Sequence, residues 1–162
     1  MGSRFWVEVP IYRATAAALV AGQPTIPQTS PLATIAAQHK VIYVEDNPSN
    51  IAFMRELVQD LASVELLTAP TAEIGLPLIR AHQPAVVIMD INLPGMSGFD
   101  AVKQLQDWPE TRHIPIVGLS AAALIKDTTR ARGAGFYRYL TKPVKVAELI
   151  ATLEELLVRD RG

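Results

Sequence analysis

The apolar run Ala85-Val86-Val87-Ile88-Met89 ends on a carboxylate, Asp90, and no other feature of the chain restricts its fold as strongly. An unbroken apolar stretch of this length, rich in β-branched residues, reads as a strand buried on both faces of a parallel sheet. In open α/β sheets the ligand crevice lies beyond the C-terminal ends of the strands, where Asp90 falls. Two further strand-like runs end in polar groups that can reach the same crevice. Val41-Ile42-Tyr43-Val44 leads into Glu45-Asp46, and Ile116-Val117-Gly118-Leu119 leads into Ser120. A last run, Tyr137-Arg138-Tyr139-Leu140-Thr141, delivers Lys142 and then Pro143. Three carboxylates, a hydroxyl and an ammonium at strand ends make a site for a divalent cation and a phosphoryl group. Taken alone, a strand-end Asp is often only a turn or cap residue.

From residue 40 to about 158, strand and helix signals alternate five times, which predicts an α/β fold with a doubly wound five-stranded parallel sheet. Asn47 and Pro48 predict an N-cap and first turn for the first helix, with Ile51, Met54, Leu57, Val58 and Leu61 as its buried stripe. Ser97 with Asp100 three residues on predicts the start of the third helix, and Pro109 its end. Thr71-Ala72-Glu73-Ile74 opens the second helix well, but Gly75 and Pro77 fall inside it. An interior proline removes a hydrogen bond and crowds the preceding turn at a cost of about 3 kcal/mol, so this helix is expected to be kinked or shortened. The last helix presents Val146, Leu149, Ile150, Leu153, Leu156 and Leu157 on one face.

Composition sets outer limits. A chain of 162 residues allows one ordinary domain with appendages, and its 49% hydrophobic content can furnish a core. A net charge of −1 gives no electrostatic case for binding nucleic acid or a membrane surface. With no cysteine, disulfides and thiolate metal sites are excluded, which suits the cytoplasm. No apolar run approaches the roughly 20 residues needed to span a bilayer, and the N-terminus lacks the apolar core of a signal peptide. His39, His82 and His113 fall in linker, helix-end and loop contexts and are read as solvated groups, without metal-ligand spacing.

The segments Val44-Glu45-Asp46-Asn47, Met89-Asp90-Ile91-Asn92-Leu93-Pro94-Gly95-Met96-Ser97-Gly98, Leu119-Ser120-Ala121 and Thr141-Lys142-Pro143 together resemble the receiver domain of two-component response regulators. The resemblance implies the flavodoxin-like (β/α)5 receiver fold over residues 40–160, with Asp90 as phosphoacceptor. It implies Mg²⁺ held directly by Asp46 and Asp90, by the backbone carbonyl of Asn92, and by Glu45 through water. The Asn92 side chain could instead meet the phosphoryl group or an attacking water. Lys142 would pair with Asp90 or the phosphoryl oxygens, and Ser120 would donate to the modified group. A cis Lys142–Pro143 bond is implied as well. Tyr139 matches an aromatic whose rotamer follows the state of the site, with the small Ala121 leaving room for Ser120 to move. That movement would switch a surface made by the fourth helix, fifth strand and fifth helix. The plainer reading of Tyr139 is a strand-end packing residue.

Ahead of the domain, Gly2-Ser3-Arg4-Phe5-Trp6-Val7-Glu8-Val9-Pro10 resembles the closing strand of the ATP-binding domain of sensor histidine kinases. Residues 1–10 are then the remnant of that domain, and 11–39, with Ala14 to Ala21, Pro24, Pro27 and Pro31, a linker. The chain is expected to be the C-terminal receiver of a hybrid histidine kinase, taking its phosphoryl group from a phosphohistidine. A histidine phosphotransfer protein is a further candidate partner, dimerisation is left open, and no output domain is expected after the last helix. No nucleic-acid or membrane contact is expected, although the parent could be membrane-anchored. Whether the chain counts as an enzyme is also left open: it would accept a phosphoryl group and lose it again by its own hydrolysis. Two other classes compete. One is a stand-alone or non-phosphorylated receiver that acts as a protein interaction module. The other is an enzyme on the same sheet, such as an aspartyl-nucleophile phosphatase. The phosphatase wants Asp-x-Asp, whereas Asp90-Ile91-Asn92 has an amide in the second place. Flavodoxins want a hydroxyl-rich loop after the first strand, where this chain has Glu45-Asp46-Asn47-Pro48.

Overall fold

A computed structural model describes residues 39–61, 63–121 and 133–159. The N-terminal phrase and the linker up to residue 38 lie outside the described residues, as does most of the segment after the fourth strand to which the sequence reading gave its fourth helix. Five strands, β1 (His39–Val44), β2 (Val64–Ala69), β3 (Val86–Asp90), β4 (Ile116–Ala121) and β5 (Arg138–Lys142), form one sheet in the order β2-β1-β3-β4-β5. Every strand pair is parallel. The order reverses direction at β1 and β3, which places the switch point of the sheet between Glu45 and Asp90. The doubly wound five-stranded sheet read from the sequence is the observed fold.

Helices α1 (Pro48–Gln59), α2 (Ala72–His82), α3 (Gly98–Asp107) and α4 (Val146–Arg159, the fifth of the sequence's helix signals) cover the two faces. Side chains alternate along each strand, so β3 sends Val86 and Ile88 one way and Val87 and Met89 the other. The first set joins Val41, Tyr43, Leu119 and Leu140 beneath Met54 and Val58 of α1 and Leu149, Leu153 and Leu157 of α4. The second joins Ile42, Val44 and Ile116 beneath Leu76 and Ile79 of α2 and Val102 and Leu105 of α3. β3 is buried along its whole length because both faces are covered, which is why its sequence is uninterrupted by polar residues until Asp90.

The helix starts follow the caps read from the sequence. Asn47 Oδ1 accepts the Ser49 N–H at 2.9 Å, with Pro48 opening α1. Ser97 Oγ accepts the Asp100 N–H at 3.2 Å. The reciprocal half of that cap differs from a capping box, because the Asp100 carboxylate takes the Ser97 hydroxyl at 2.7 Å rather than a backbone donor. Of the expectation that α2 is kinked or shortened, the shortening is corrected: α2 runs through Pro77 to His82. Pro77 and Glu73, whose carbonyl would otherwise receive the missing N–H, are both exposed, so the freed acceptor faces solvent. Gly75 has a packing reason. A Cβ there would stand 2.8 Å from Val44 Cγ2, so the glycine lets α2 lie close on β1. His39 is corrected as well; it is the first residue of β1, buried, with its N–H on Ser63 O at 2.7 Å.

α3 approaches the end of β3 still more closely. A Cβ on Gly98 would stand 2.5 Å from the Asp90 carbonyl oxygen and 2.8 Å from Ile91 Cα, both backbone atoms that cannot turn aside. The Gly98 N–H completes the contact on Ile91 O at 3.0 Å. Gly98→Ala is therefore expected to lower the unfolding free energy by about 1–3 kcal/mol, the range for forcing extra volume into a packed interior. The check is the midpoint of urea unfolding; an unchanged midpoint would mean that α3 is not held against β3 at this residue.

Candidate functional site

Glu45, Asp90 and Lys142 meet at the C-terminal edge of the sheet, and the meeting follows from side-chain alternation. Tyr43 and Glu45, Ile88 and Asp90, and Leu140 and Lys142 are pairs two residues apart, each continuing the parity that faces α1 and α4. Lys142 Nζ donates to Asp90 Oδ2 at 2.6 Å and to Glu45 Oε2 at 2.9 Å. Both carboxylates are buried, Glu45 to 1% and Asp90 to 3% exposure. The Asn92 N–H donates to Asp90 Oδ1 at 3.0 Å, so each Asp90 oxygen has a donor. Glu45 takes two more donors: the Tyr43 hydroxyl on Oε2 at 2.8 Å and the Asn47 N–H on Oε1 at 3.1 Å. The Lys142–Pro143 bond is cis.

Burial and pairing act against each other here, and pairing prevails. Burial alone would raise Glu45, but hydrogen bonds from Lys142, Tyr43 and Asn47 outweigh it and hold the carboxyl below its ordinary value. Burial would lower Lys142, but its bonds to Asp90 and Glu45 hold the ammonium above its ordinary value. Burial, followed by the neighbouring Glu45, pushes the Tyr43 hydroxyl far up, so it remains a donor. Asp46 is exposed beside them, and Glu45, Asp46 and Asp90 each offer an oxygen within 4.8 Å of the other two. Three carboxylates facing one ammonium leave a negative excess built from hard oxygen donors. That donor set fits Mg²⁺.

Of the remaining sequence-predicted residues, Ser120, Ala121 and Asn92 stand at the same edge, and Tyr139 lies further back on β5, level with Gly118. Ser120 is fully buried, and its hydroxyl donates to the Ala121 carbonyl at 3.2 Å. Ala121 is exposed, as is Asn92. Tyr139 is half-buried on the opposite parity, its ring 4.8 Å from that of Phe136. Phe136 in turn meets Phe99 of α3 edge-on at 5.8 Å. Gly118 makes this stack possible, since a Cβ there would come within 2.9 Å of both Phe136 and Tyr139. Burial raises the Tyr139 hydroxyl above its ordinary value. Sequence reasoning missed Tyr43, Phe136 and Glu73. Glu73 Oε1 accepts the Met96 N–H at 2.9 Å and so ties the loop after β3 to α2. The signal for Tyr43 was available: a tyrosine two residues before a strand-end carboxylate shares its parity.

Three comparisons agree on the kind of domain this is. A family model described as the response regulator receiver domain matches residues 41–154. The polar-differentiation response regulator DivK of Brucella ovis is 37% identical over 117 residues, covering 72% of this chain and 94% of that protein. A putative response regulator from Chloroflexus aurantiacus superposes with a TM-score of 0.66 at 31% identity, over 75% of this chain and 98% of that one. The receiver domain of sensor histidine kinase PA1611 from Pseudomonas aeruginosa, solved with a magnesium ion in its active-site cleft, superposes with a TM-score of 0.67 at 28% identity, over 74% and 98%. No helix among the described residues is long and apolar enough to cross a membrane.

Removing the ammonium tests the electrostatics of the cluster directly. Lys142→Met leaves two buried carboxylates without their cation. With the lysine side chain 28% exposed, the expected loss is about 1–3 kcal/mol, below that for a fully buried pair. Glu45 titrates below its ordinary value, so its contribution is complete at neutral pH and fades as pH falls through the depressed value. Lys142 titrates above its ordinary value, so its contribution fades only in strong alkali. In Mg²⁺-free buffer the deficit of Lys142→Met should therefore be largest at neutral pH and narrow below pH 4.5, the ordinary glutamate value. A deficit that widens in acid, measured by denaturant unfolding at several pH values, would contradict this charge arrangement.

Proposed function

The chain belongs to the response regulator receiver domain family, and we propose that within it Asp90 takes a phosphoryl group from a phosphohistidine donor. The observation that carries the reading is the Lys142 ammonium bridging two buried carboxylates, Glu45 and Asp90, at the switch point of the sheet. An Asp90 oxygen attacks the donor's phosphorus while the phosphorus–nitrogen bond breaks, and its electron pair leaves with the imidazole. The product is an acyl phosphate on Asp90. Asp46 and Asp90 would hold Mg²⁺ directly, Glu45 through water, and the Asn92 carbonyl would add an oxygen. Bound there, the ion neutralises charge on the transferring group, and catalysis is chiefly a matter of positioning and electrostatics.

The chain's own groups do the rest. Lys142 transfers its hydrogen bond from Asp90 Oδ2 to a phosphoryl oxygen, and Glu45 keeps the ammonium close while it does so. Ser120 gives up the Ala121 carbonyl and donates to the phosphoryl group instead. The space it leaves can be taken by Tyr139, whose ring lies against Gly118 two residues earlier on β4. Ala121, small and exposed at the mouth of the site, leaves room for that exchange. The surface changed by this movement comprises β5, α4 and the segment after β4.

We further infer that this receiver belongs to a hybrid histidine kinase. Support comes from residues 1–10, whose phrase resembles the end of a kinase ATP-binding domain, followed by the linker that ends before His39. The likeness to the receiver of a Pseudomonas aeruginosa sensor histidine kinase favours the same context. The coverage of nearly the whole of DivK favours the alternative, a receiver that acts as a protein by itself. A donor histidine in the same polypeptide, or a histidine phosphotransfer protein, would be the partner in the first case. The intended setting in either case is the cytoplasm.

Incubation with acetyl phosphate and Mg²⁺, followed by intact-mass analysis, tests the phosphoacceptor. Wild type should gain one phosphoryl group, and Asp90→Asn none. Equal labelling of the two proteins would remove Asp90 from the role.

A further inference from the structure

We propose that Tyr43 is a positioning residue of the phosphoryl-transfer site, its buried hydroxyl fixing Glu45 in the place where Glu45 meets the Lys142 ammonium. The inference rests on the receiver reading and extends it to a residue of the strand interior. Glu45 Oε2 accepts from two side chains at once, Tyr43 at 2.8 Å and Lys142 at 2.9 Å. A carboxylate oxygen has two lone-pair directions, so these donors fill it. Oε1 is held by the Asn47 N–H at 3.1 Å. Both ends of the carboxylate are thereby held, Oε1 by a backbone amide and Oε2 by one buried ring hydroxyl and one flexible ammonium.

Of the two side-chain donors, both on Oε2, Tyr43 is the rigid one. Its ring is 2% exposed and packs with Val41, Met54 and Val58 in the core beneath α1 and α4. Lys142, by contrast, has a flexible stem and must shift its contact when Asp90 is modified. A glutamate is one methylene longer than an aspartate and has an additional rotatable bond. With Oε1 alone held by the Asn47 N–H, Oε2 could turn with the lysine instead of anchoring it. A hydroxyl on a buried ring supplies that fixed point, as supporting contacts around functional groups do elsewhere. The plainer explanation is that Glu45 merely satisfies a buried tyrosine hydroxyl, since such hydroxyls usually find an acceptor. Removing the hydroxyl while retaining the ring separates the two: positioning by Tyr43 makes phosphorylation slower, and mere satisfaction leaves its rate unchanged.

The test uses the full chain as Tyr43→Phe, Glu45→Gln and the double variant, each confirmed to be folded by a cooperative thermal transition. Phosphorylation by acetyl phosphate at saturating Mg²⁺ is followed by intact mass. Tyr43→Phe should slow it by about tenfold, the scale of a hydrogen bond to a charged group. The double variant should be no slower than Glu45→Gln alone, because Tyr43 acts through Glu45. In Mg²⁺-free protein, the Asn47 amide resonance should move in Tyr43→Phe while those of Val86 and Ile116 stay in place. A Tyr43→Phe protein that labels at the wild-type rate overturns the proposal, as do effects that multiply in the double variant or an unmoved Asn47 resonance. If wild type itself takes no phosphoryl group, the receiver reading falls and the role of Tyr43 with it. A labelled wild type beside an equally fast Tyr43→Phe removes Tyr43 alone.

Discussion

The Lys142 ammonium between Glu45 and Asp90 is the contact on which the arrangement of the sheet's C-terminal edge depends. Its three members come from the ends of β1, β3 and β5, and β4 separates β5 from β3. Neighbouring strands lie about 4.8 Å apart, so the lysine must reach across roughly 10 Å between β5 and β3. The register shows how it does so. Asp90 is level with Leu119 and Leu119 with Leu140, which sets Lys142 two residues beyond the end of β3. From that overhang a long, unbranched side chain can lean back to the carboxylates, whereas a shorter one would fall short.

Alternation along the strands divides the labour between the two faces. The charged groups share the parity of Tyr43, Ile88 and Leu140, facing α1 and α4. Tyr139 has the other parity, level with Gly118, and its ring meets Phe136, which packs against the α2 and α3 side from just ahead of β5. Ser120 sits two residues beyond Gly118 on β4 and so belongs to this second set, next to the rim. On the proposed reading, a new charge on Asp90 would be sensed through Ser120 by the aromatic stack of Tyr139, Phe136 and Phe99. The stack exists only because residue 118 lacks a Cβ. Packed rings of this kind have discrete arrangements, which is what a switch requires.

Much of this was legible in the sequence, for a physical reason. A fully buried parallel strand tolerates no polar residue until it reaches the rim, so the first carboxylate after an apolar run marks the site. That rule singled out Asp90 and Glu45, and its looser form, the first polar group after an apolar run, Ser120; Lys142 ends an edge strand already broken by Arg138 and was read from the Lys142-Pro143 phrase. The rule failed for Tyr43, because a tyrosine within an apolar run looks like core, and it is core apart from its hydroxyl. α2 was misjudged for a related reason. Propensity penalises Pro77, but the helix is held by Leu76 and Ile79 against the sheet, and the freed carbonyl lies on the solvent side. Gly75 looked like a second defect and is instead the point of closest approach to Val44. His39 was assigned to the linker because one polar residue at the start of a strand gives no periodic signal.

The central claim is that Asp90, rather than the exposed Asp46 beside it, forms the acyl phosphate. Borohydride reduces an acyl phosphate to the alcohol, which converts the modified aspartate to homoserine and marks it permanently. Peptide sequencing by mass spectrometry after treatment with acetyl phosphate, Mg²⁺ and borohydride should find homoserine at position 90 and unmodified aspartate at position 46. Homoserine at 46, or at neither position in protein shown to carry a phosphoryl group, would contradict the account.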